Sequence, residues 1–269
     1  MSRRLYVFGT GHAMVTRLYN SCFGLEEGGW FFFLDAGGGN GILQAMEAMD
    51  VSAARVRGMF LTHTHTDHIL GGIWVVRAVG HAILAGEYQG DFCVWGHREL
   101  IGAFRQICMA VLAPDILAQL DGRIRLLEVS DGQTCATPFG PTTFFDTGCA
   151  LVRQFGCAIR APDGARMAYL GDEPIHPQVY PYVQGCGWLI ADALCLEAER
   201  QIHHPEHSFH SSVKETCQRA EELGVQRLIL CHTEDTHGPL RKALYTREGQ
   251  KYFHGTLLVP DDREILSLQ

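Results

Sequence analysis

Apolar positions along the chain fall into short runs with period two or none, separated by stretches whose apolar residues recur every three or four positions. Runs at 5–8, 22–25, 30–34, 58–61, 82–84, 92–94, 124–129 and 142–145 predict strands, as do 156–160, 167–170, 188–190, 227–230, 256–259 and 264–266. Helical spacing covers 41–48, 67–79, 98–112, 213–222 and 240–252, with Ser211 or Ser212 as the N-cap of the fourth and Gly224 at its end. Many short strands with helices interleaved throughout suit two sheets flanked by helices, an α/β protein. Without repeat, low-complexity tract or Pro/Ser-rich linker, residues 1–269 read as a single domain.

Composition narrows the function classes. Hydrophobic residues at 46% and charged residues at 19% can build a core and do not indicate disorder. No apolar run is long enough to span a bilayer, and 69–79 is short and glycine-broken. The basic start Met1-Ser2-Arg3-Arg4 leads at once into a strand and Gly9-Thr10-Gly11, with no apolar core of a signal peptide, so a cytoplasmic location is expected. The ten cysteines include no Cys-x-x-Cys pair and read as small buried hydrophobes, Cys149 excepted. A net charge of −8 disfavours a broad nucleic-acid surface, though a local basic groove is compatible with it.

The candidate chemistry sits where the strand at 58–61 runs into Thr62-His63-Thr64-His65-Thr66-Asp67-His68. In an extended segment residues two apart share a face, so His63 and His65 point the same way. Asp67 and His68 fall at the helix start, where a carboxylate faces the positive end of the dipole. Four nitrogen and oxygen donors this close can serve two adjacent cations, with zinc, iron or manganese suiting imidazoles. A solvated polar turn is the plain alternative, set against three histidines and an aspartate packed between apolar segments.

This motif resembles the signature of the metallo-β-lactamase superfamily, and further stretches agree in order and approximate spacing over essentially the whole chain. Asp35-Ala36-Gly37-Gly38-Gly39-Asn40 follows a strand, where the resemblance implies that Asp35 holds a ligand imidazole by its free N–H. Leu170-Gly171-Asp172 looks like the family's metal-bridging aspartate, and His232 at the end of Leu228-Ile229-Leu230-Cys231-His232 like its last ligand. The implied fold is the αββα four-layer sandwich. The implied cofactors are two divalent metal ions, zinc with manganese or iron as alternatives, on His63, His65, Asp67, His68, Asp172 and His232. The family's histidine between the first motif and the bridging aspartate is absent, since no histidine lies between His97 and His176. Cys149 as thiolate, Asp146 as carboxylate, or water are the candidates for that position.

Phe8-Gly9-Thr10-Gly11-His12-Ala13-Met14 with Asn20-Ser21 resembles the ribonuclease Z-like phosphodiesterase branch, as does Phe209-His210-Ser211-Ser212-Val213 before a helix. There His210 matches the histidine that protonates the leaving oxygen; an exposed loop histidine among His203, His204 and His207 is the alternative. Ribonuclease Z carries a long Gly/Pro-rich arm that grips tRNA, whereas the strands at 156–160 and 167–170 are joined here at hairpin length. The expected function is therefore a two-metal phosphodiesterase acting on a small or exposed phosphodiester, with RNA compatible but not favoured. The metals would lower the pKa of a bound water to about 7, and Asp67 would orient the resulting hydroxide. The alternatives are a ribonuclease Z-type endoribonuclease, a lactonase or thioesterase of the same superfamily, or a metal-binding protein without turnover. Glu234-Asp235-Thr236-His237 reads as pocket lining or as a solvated turn. Trp74 and Trp95 read as core or dimer-contact aromatics, which keeps a homodimer among the expected partners.

Overall fold

The computed structural model describes residues 3–161 and 164–268. The chain forms two compact units: residues 1–9, 19–130 and 262–269 make the first, and residues 10–18 and 131–261 the second.

In the first unit, strands β1 (Arg4–Gly9), β2 (Cys22–Glu27) and β3 (Trp30–Leu34) form an antiparallel meander. Strands β4 (Val56–Phe60), β5 (Phe92–His97) and β6 (Ile124–Val129) then add in parallel. These parallel steps need crossovers, supplied by α1 (Gly41–Ala48), α2 (Thr66–Leu84), and α3 (Arg98–Val111) with α4 (Pro114–Leu117). The helices pack on Phe31, Phe33, Met59 and Val94 through Ile42, Val75, Val76, Leu100 and Phe104. The intervening strand residues Leu5, Val7, Phe32, Leu34 and Phe60 are buried as well. Burial on both faces is why these strands read as unbroken apolar runs rather than alternating ones.

The second unit repeats the plan. Strands β7 (Thr134–Thr137), β8 (Gly140–Asp146), β9 (Phe155–Arg160) and β10 (Arg166–Tyr169) run antiparallel. Strands β11 (Trp188–Asp192), β12 (Arg227–Cys231) and β13 (Thr256–Leu258) follow in parallel. Their crossovers carry α5 (Tyr180–Val183), α6 (Arg200–His203) with α7 (Val213–Glu222), and α8 (Arg241–Gly249). Strand β14 (Glu264–Ser267) returns to pair with β1 in the first sheet. Two seven-stranded mixed sheets with flanking helices bear out the α/β expectation.

Three sequence expectations need correction. Residues 82–84 form no strand but the last turn of α2, where Ala82 and Ile83 continue the buried helical face of Val75, Val76 and Val79. Strand β7 was not expected: Thr134-Cys135-Ala136-Thr137 is a half-exposed edge with no apolar run. Trp95 is core, set edge-on against Phe32, whereas Trp74 keeps 36% of its surface exposed. The β9–β10 connection has hairpin length, closed by Ala161 N–H to the Ala165 carbonyl at 2.8 Å; Pro162 and Asp163 lie outside the described residues. Among the described residues no helix is long and apolar enough to cross a membrane.

Candidate metal centre and its acid–base pair

In the first unit the chain leaves β4 buried through Leu61, Thr62 and His63, then begins α2 at Thr66 with His65 as its N-cap. His63 and His65 share a face as expected, their ring centroids 4.5 Å apart, and His63 lies 4.2 Å from the His68 ring. Asp67 occupies the first turn of α2, buried, with Oδ2 3.3 Å from His68 Nε2.

A proton chain fixes how the rings present themselves. The fully buried Asp35 carboxylate accepts from Thr62 N–H at 2.8 Å, from Thr62 Oγ1 at 2.9 Å and from His68 Nδ1 at 2.7 Å. A carboxylate can only accept, so His68 carries its proton on Nδ1. The single Thr62 hydroxyl proton points to Asp35, so Thr62 Oγ1 accepts from His63 Nδ1 at 3.0 Å. Both imidazoles therefore turn an Nε2 lone pair outward, the form a metal requires. Asp35 holds φ +54°, a left-handed conformation uncommon outside glycine and compatible with a functional turn. Helix α2 reaches this loop because Gly71 donates its N–H to the Gly37 carbonyl at 2.8 Å, and a Cβ at Gly71 would overlap the Ala36 carbonyl.

In the second unit the candidates lie at the carboxyl ends of adjacent parallel strands, where open α/β sheets place their ligands. Asp172 follows β10 after Gly171, whose φ is +71°; His232 follows β12 at φ +55°. Both are buried, with His232 Nε2 3.6 Å from Asp172 Oδ2. Between them, the last residue of β11 is Asp192, which sequence reasoning missed. Its Oδ2 accepts from Ser211 N–H at 2.7 Å, and its Oδ1 stands 3.4 Å from His210 Nδ1. His210 Nδ1 also meets the Asp172 carbonyl at 3.2 Å, and the His210 and His232 ring centroids are 4.9 Å apart. His210 is thus no free loop histidine: burial opposes its charge, but Asp192 and then Asp172 outweigh this and raise its pKa to about 9. Burial raises Asp192 to about 6 against the pull of His210. The two directions agree on an ion pair at neutral pH.

Ser212 is the helix cap foreseen for α7, in a reciprocal pair with Glu215. Glu234, expected as pocket lining or a solvated turn, is 14% exposed and joins His203 Nδ1 at 2.8 Å to His12 Nε2 at 3.2 Å. It knits the Gly11-His12 segment to the loop ahead of His210.

The position of the missing histidine has a definite chemistry. Asp146 spends its carboxylate on Gly148 N–H at 2.9 Å and Arg153 Nε at 3.3 Å, closing its own loop. Cys149 is a thiol, pushed up to about 11 by burial and then by its hydrogen bond to Glu173. Among the described residues neither belongs to a group of closely spaced ligand atoms, whereas Asp172, His210 and His232 do, within 4.8 Å of one another. The donors of both units, imidazole nitrogen and carboxylate oxygen, fit zinc, manganese or iron.

Comparison with known proteins places the chain in a family. Residues 32–233 match the model of the Beta-lactamase superfamily domain, and the chain belongs to that family. It is 21% identical to ribonuclease Z of Parabacteroides distasonis, covering 84% of this chain and 86% of that one. Among solved structures, the metallo-β-lactamase fold protein YhfI from Bacillus subtilis aligns at TM-score 0.79 and 17% identity, over 99% of this chain and 100% of that one. A diphosphatase from the PhnP family aligns at TM-score 0.73 and 15% identity, over 99% and 97%. The fold is that of the metallo-β-lactamases.

Proposed function

We propose that this chain is a metal-dependent phosphodiesterase of the ribonuclease Z-like branch, acting on a small or exposed phosphodiester. The observation that carries the reading is the buried Asp192–His210 pair beside Asp172 and His232. A lactonase or thioesterase of the superfamily has no need of a charged histidine held there. The family model passes through both units, which supports reading 1–269 as one domain. The lack of disulfides among the described residues supports a cytoplasmic location. The exposed Trp74 on α2 is the contact we assign to a homodimer.

In this reading His63, His65, Asp67, His68, Asp172 and His232 hold two divalent ions, zinc or in its place manganese or iron. Bound there, the ions would supply Lewis acidity and an acidified water. Asp67 orients that water and takes up its proton. Asp35 and Thr62 keep both imidazole tautomers fixed. His210 donates its proton to the departing alkoxide, and Asp192 keeps the ring charged and aimed until it does.

Elemental analysis tests the ligand set. The purified protein should carry about one to two equivalents of transition metal. The variant His63→Ala with His65→Ala should lose most of it; unchanged metal content would remove the assignment. Turnover of a chromogenic phosphodiester but not of a lactone separates this reading from its superfamily alternatives. Inactivity on both with metal bound would favour a binding protein.

A further inference from the structure

We propose that the turn His204-Pro205-Glu206-His207 is a further, exchangeable site for a divalent transition metal, built from residues outside the metal centre above. The first argument is backbone geometry. Pro205–His207 is a 3₁₀ turn capped by His204, and residues three apart in such a turn eclipse. His204 and His207 are three apart, and their rings lie parallel at 10° with centroids separated by 5.0 Å. His204 takes φ +45° and ψ +55°, a left-handed conformation that a non-glycine residue adopts at a cost of about 1–3 kcal/mol. One ligand atom from each of His204, Glu206 and His207 falls within 4.8 Å of the others.

Electrostatics divides the Glu206 carboxylate between two tasks. Its Oε2 takes Arg200 Nε at 3.2 Å, while Oε1 faces His204 Nδ1 at 3.7 Å. Arg200 therefore anchors the acid without covering the oxygen that faces the imidazoles. The side chains of His204 and Glu206 are 46% and 40% exposed, so an ion could enter and leave from solvent. Two imidazoles and one carboxylate with an open position are a zinc-type donor set, equally suited to cobalt or nickel and poor for magnesium or calcium, which prefer all-oxygen sites.

The turn is also wired to His210. The Pro205 carbonyl accepts the His210 N–H at 2.8 Å and the Ser208 N–H at 3.2 Å, and His204 O accepts His207 N–H at 2.9 Å. Upstream, His203 is pinned by Glu234 at 2.8 Å. An ion that cross-links His204 and His207 fixes the carbonyl on which the His210 backbone hangs. Occupancy thus orders the segment that presents His210, without any contact between this ion and substrate.

The test is zinc stoichiometry by elemental analysis after equilibrium dialysis of the metal-loaded full chain against micromolar zinc, with amide hydrogen exchange on the same samples. Wild type should bind about one equivalent that dialyses away at low free zinc, and adding zinc should slow exchange at Ser208 and His210. His204→Ala with His207→Ala should lose that equivalent and the added protection, and Glu206→Gln should weaken both. His63→Ala with His65→Ala should keep them, so loss of the main centre and loss of this site are told apart. The replaced side chains are at the surface, and an unchanged thermal transition checks that the fold survives. An unaltered exchangeable equivalent in the His204/His207 variant overturns the proposal, as would zinc leaving exchange at His210 unaffected.

Discussion

Thr62 is the residue whose chemistry is easiest to overlook, since its hydroxyl touches neither a strand ladder nor a helix cap. It passes the acceptor character of Asp35 on to His63 Nδ1. Thr62→Val keeps the shape but leaves a buried imidazole N–H and a carboxylate lone pair unmatched, at about 1–3 kcal/mol. Metal affinity should fall by about 10–100-fold, as for other groups that orient a ligand; an unchanged affinity in chelator competition would refute the proton chain. At His210 the direction of the shift sets the pH profile. Asp192 and Asp172 raise it to about 9 against burial, so the proton donor is present at neutral pH and lost as pH climbs through about 9. His210→Ala should slow alkyl phosphodiesters by about 10²–10⁴-fold and nitrophenyl esters far less, because a phenolate scarcely needs the proton. Asp192→Asn should move the alkaline limb down by about one pH unit or more. Equal slowing on both leaving groups, or an unmoved limb, would return His210 to a packing role. Asp35 was legible from its place between a strand and a glycine run. Asp192 was not: an acid closing Trp188-Leu189-Ile190-Ala191 looks like any strand-ending turn residue until Ser211 and His210 meet it.

At the scale of elements, the ligand-bearing strands and the helices after them were readable because burial on both faces leaves long apolar runs. The failures came where packing overrides local pattern. Ala82-Ile83-Leu84 has strand composition, but the helical face begun at Ile69 keeps it in α2. Strand β7 has too few apolar residues to signal itself and exists by pairing with β8, Thr134 opposite Thr143 and Thr137 opposite Gly140. The first turns of α2 carry Asp67 and His68, and their approach to the Asp35 loop depends on Gly71. With the Ala36 carbonyl where a Cβ would go, Gly71→Ala must push the helix off the loop. Overpacking of this kind typically destabilises by about 1–3 kcal/mol, or roughly 2–4 °C in Tm per kcal/mol for a chain near this size. Because His68 is tied to Asp35 across the same junction, metal affinity should fall along with Tm. A calorimetric transition at the wild-type temperature would show that the junction yields without strain.

For the whole molecule, relatives and charge pull in different directions. A ribonuclease Z is among the similar proteins, yet this chain carries 22 Lys and Arg against 30 Asp and Glu, a net charge of −8. Strands β9 and β10, where sequence reasoning looked for an RNA-gripping arm, are joined by a hairpin-length connection. Affinity for a polyanion grows with the number of phosphates neutralised, and each contact steepens the salt dependence by nearly one unit of slope. With few clustered cations, binding of a precursor tRNA should be weak at physiological salt and change little between about 50 and 200 mM, whereas six to ten phosphate contacts would cost 10³–10⁵-fold over that range. Hydrolysis of a small phosphodiester needs no such grip, because the ions and His210 act on the reacting phosphate alone. We therefore expect turnover on small diesters with a shallow salt dependence, and precursor tRNA matured far more slowly than by a ribonuclease Z assayed alongside. Tight, steeply salt-dependent tRNA binding with rapid 3′ processing would show that a local basic groove outweighs the net charge, and would move the substrate from small diesters to RNA.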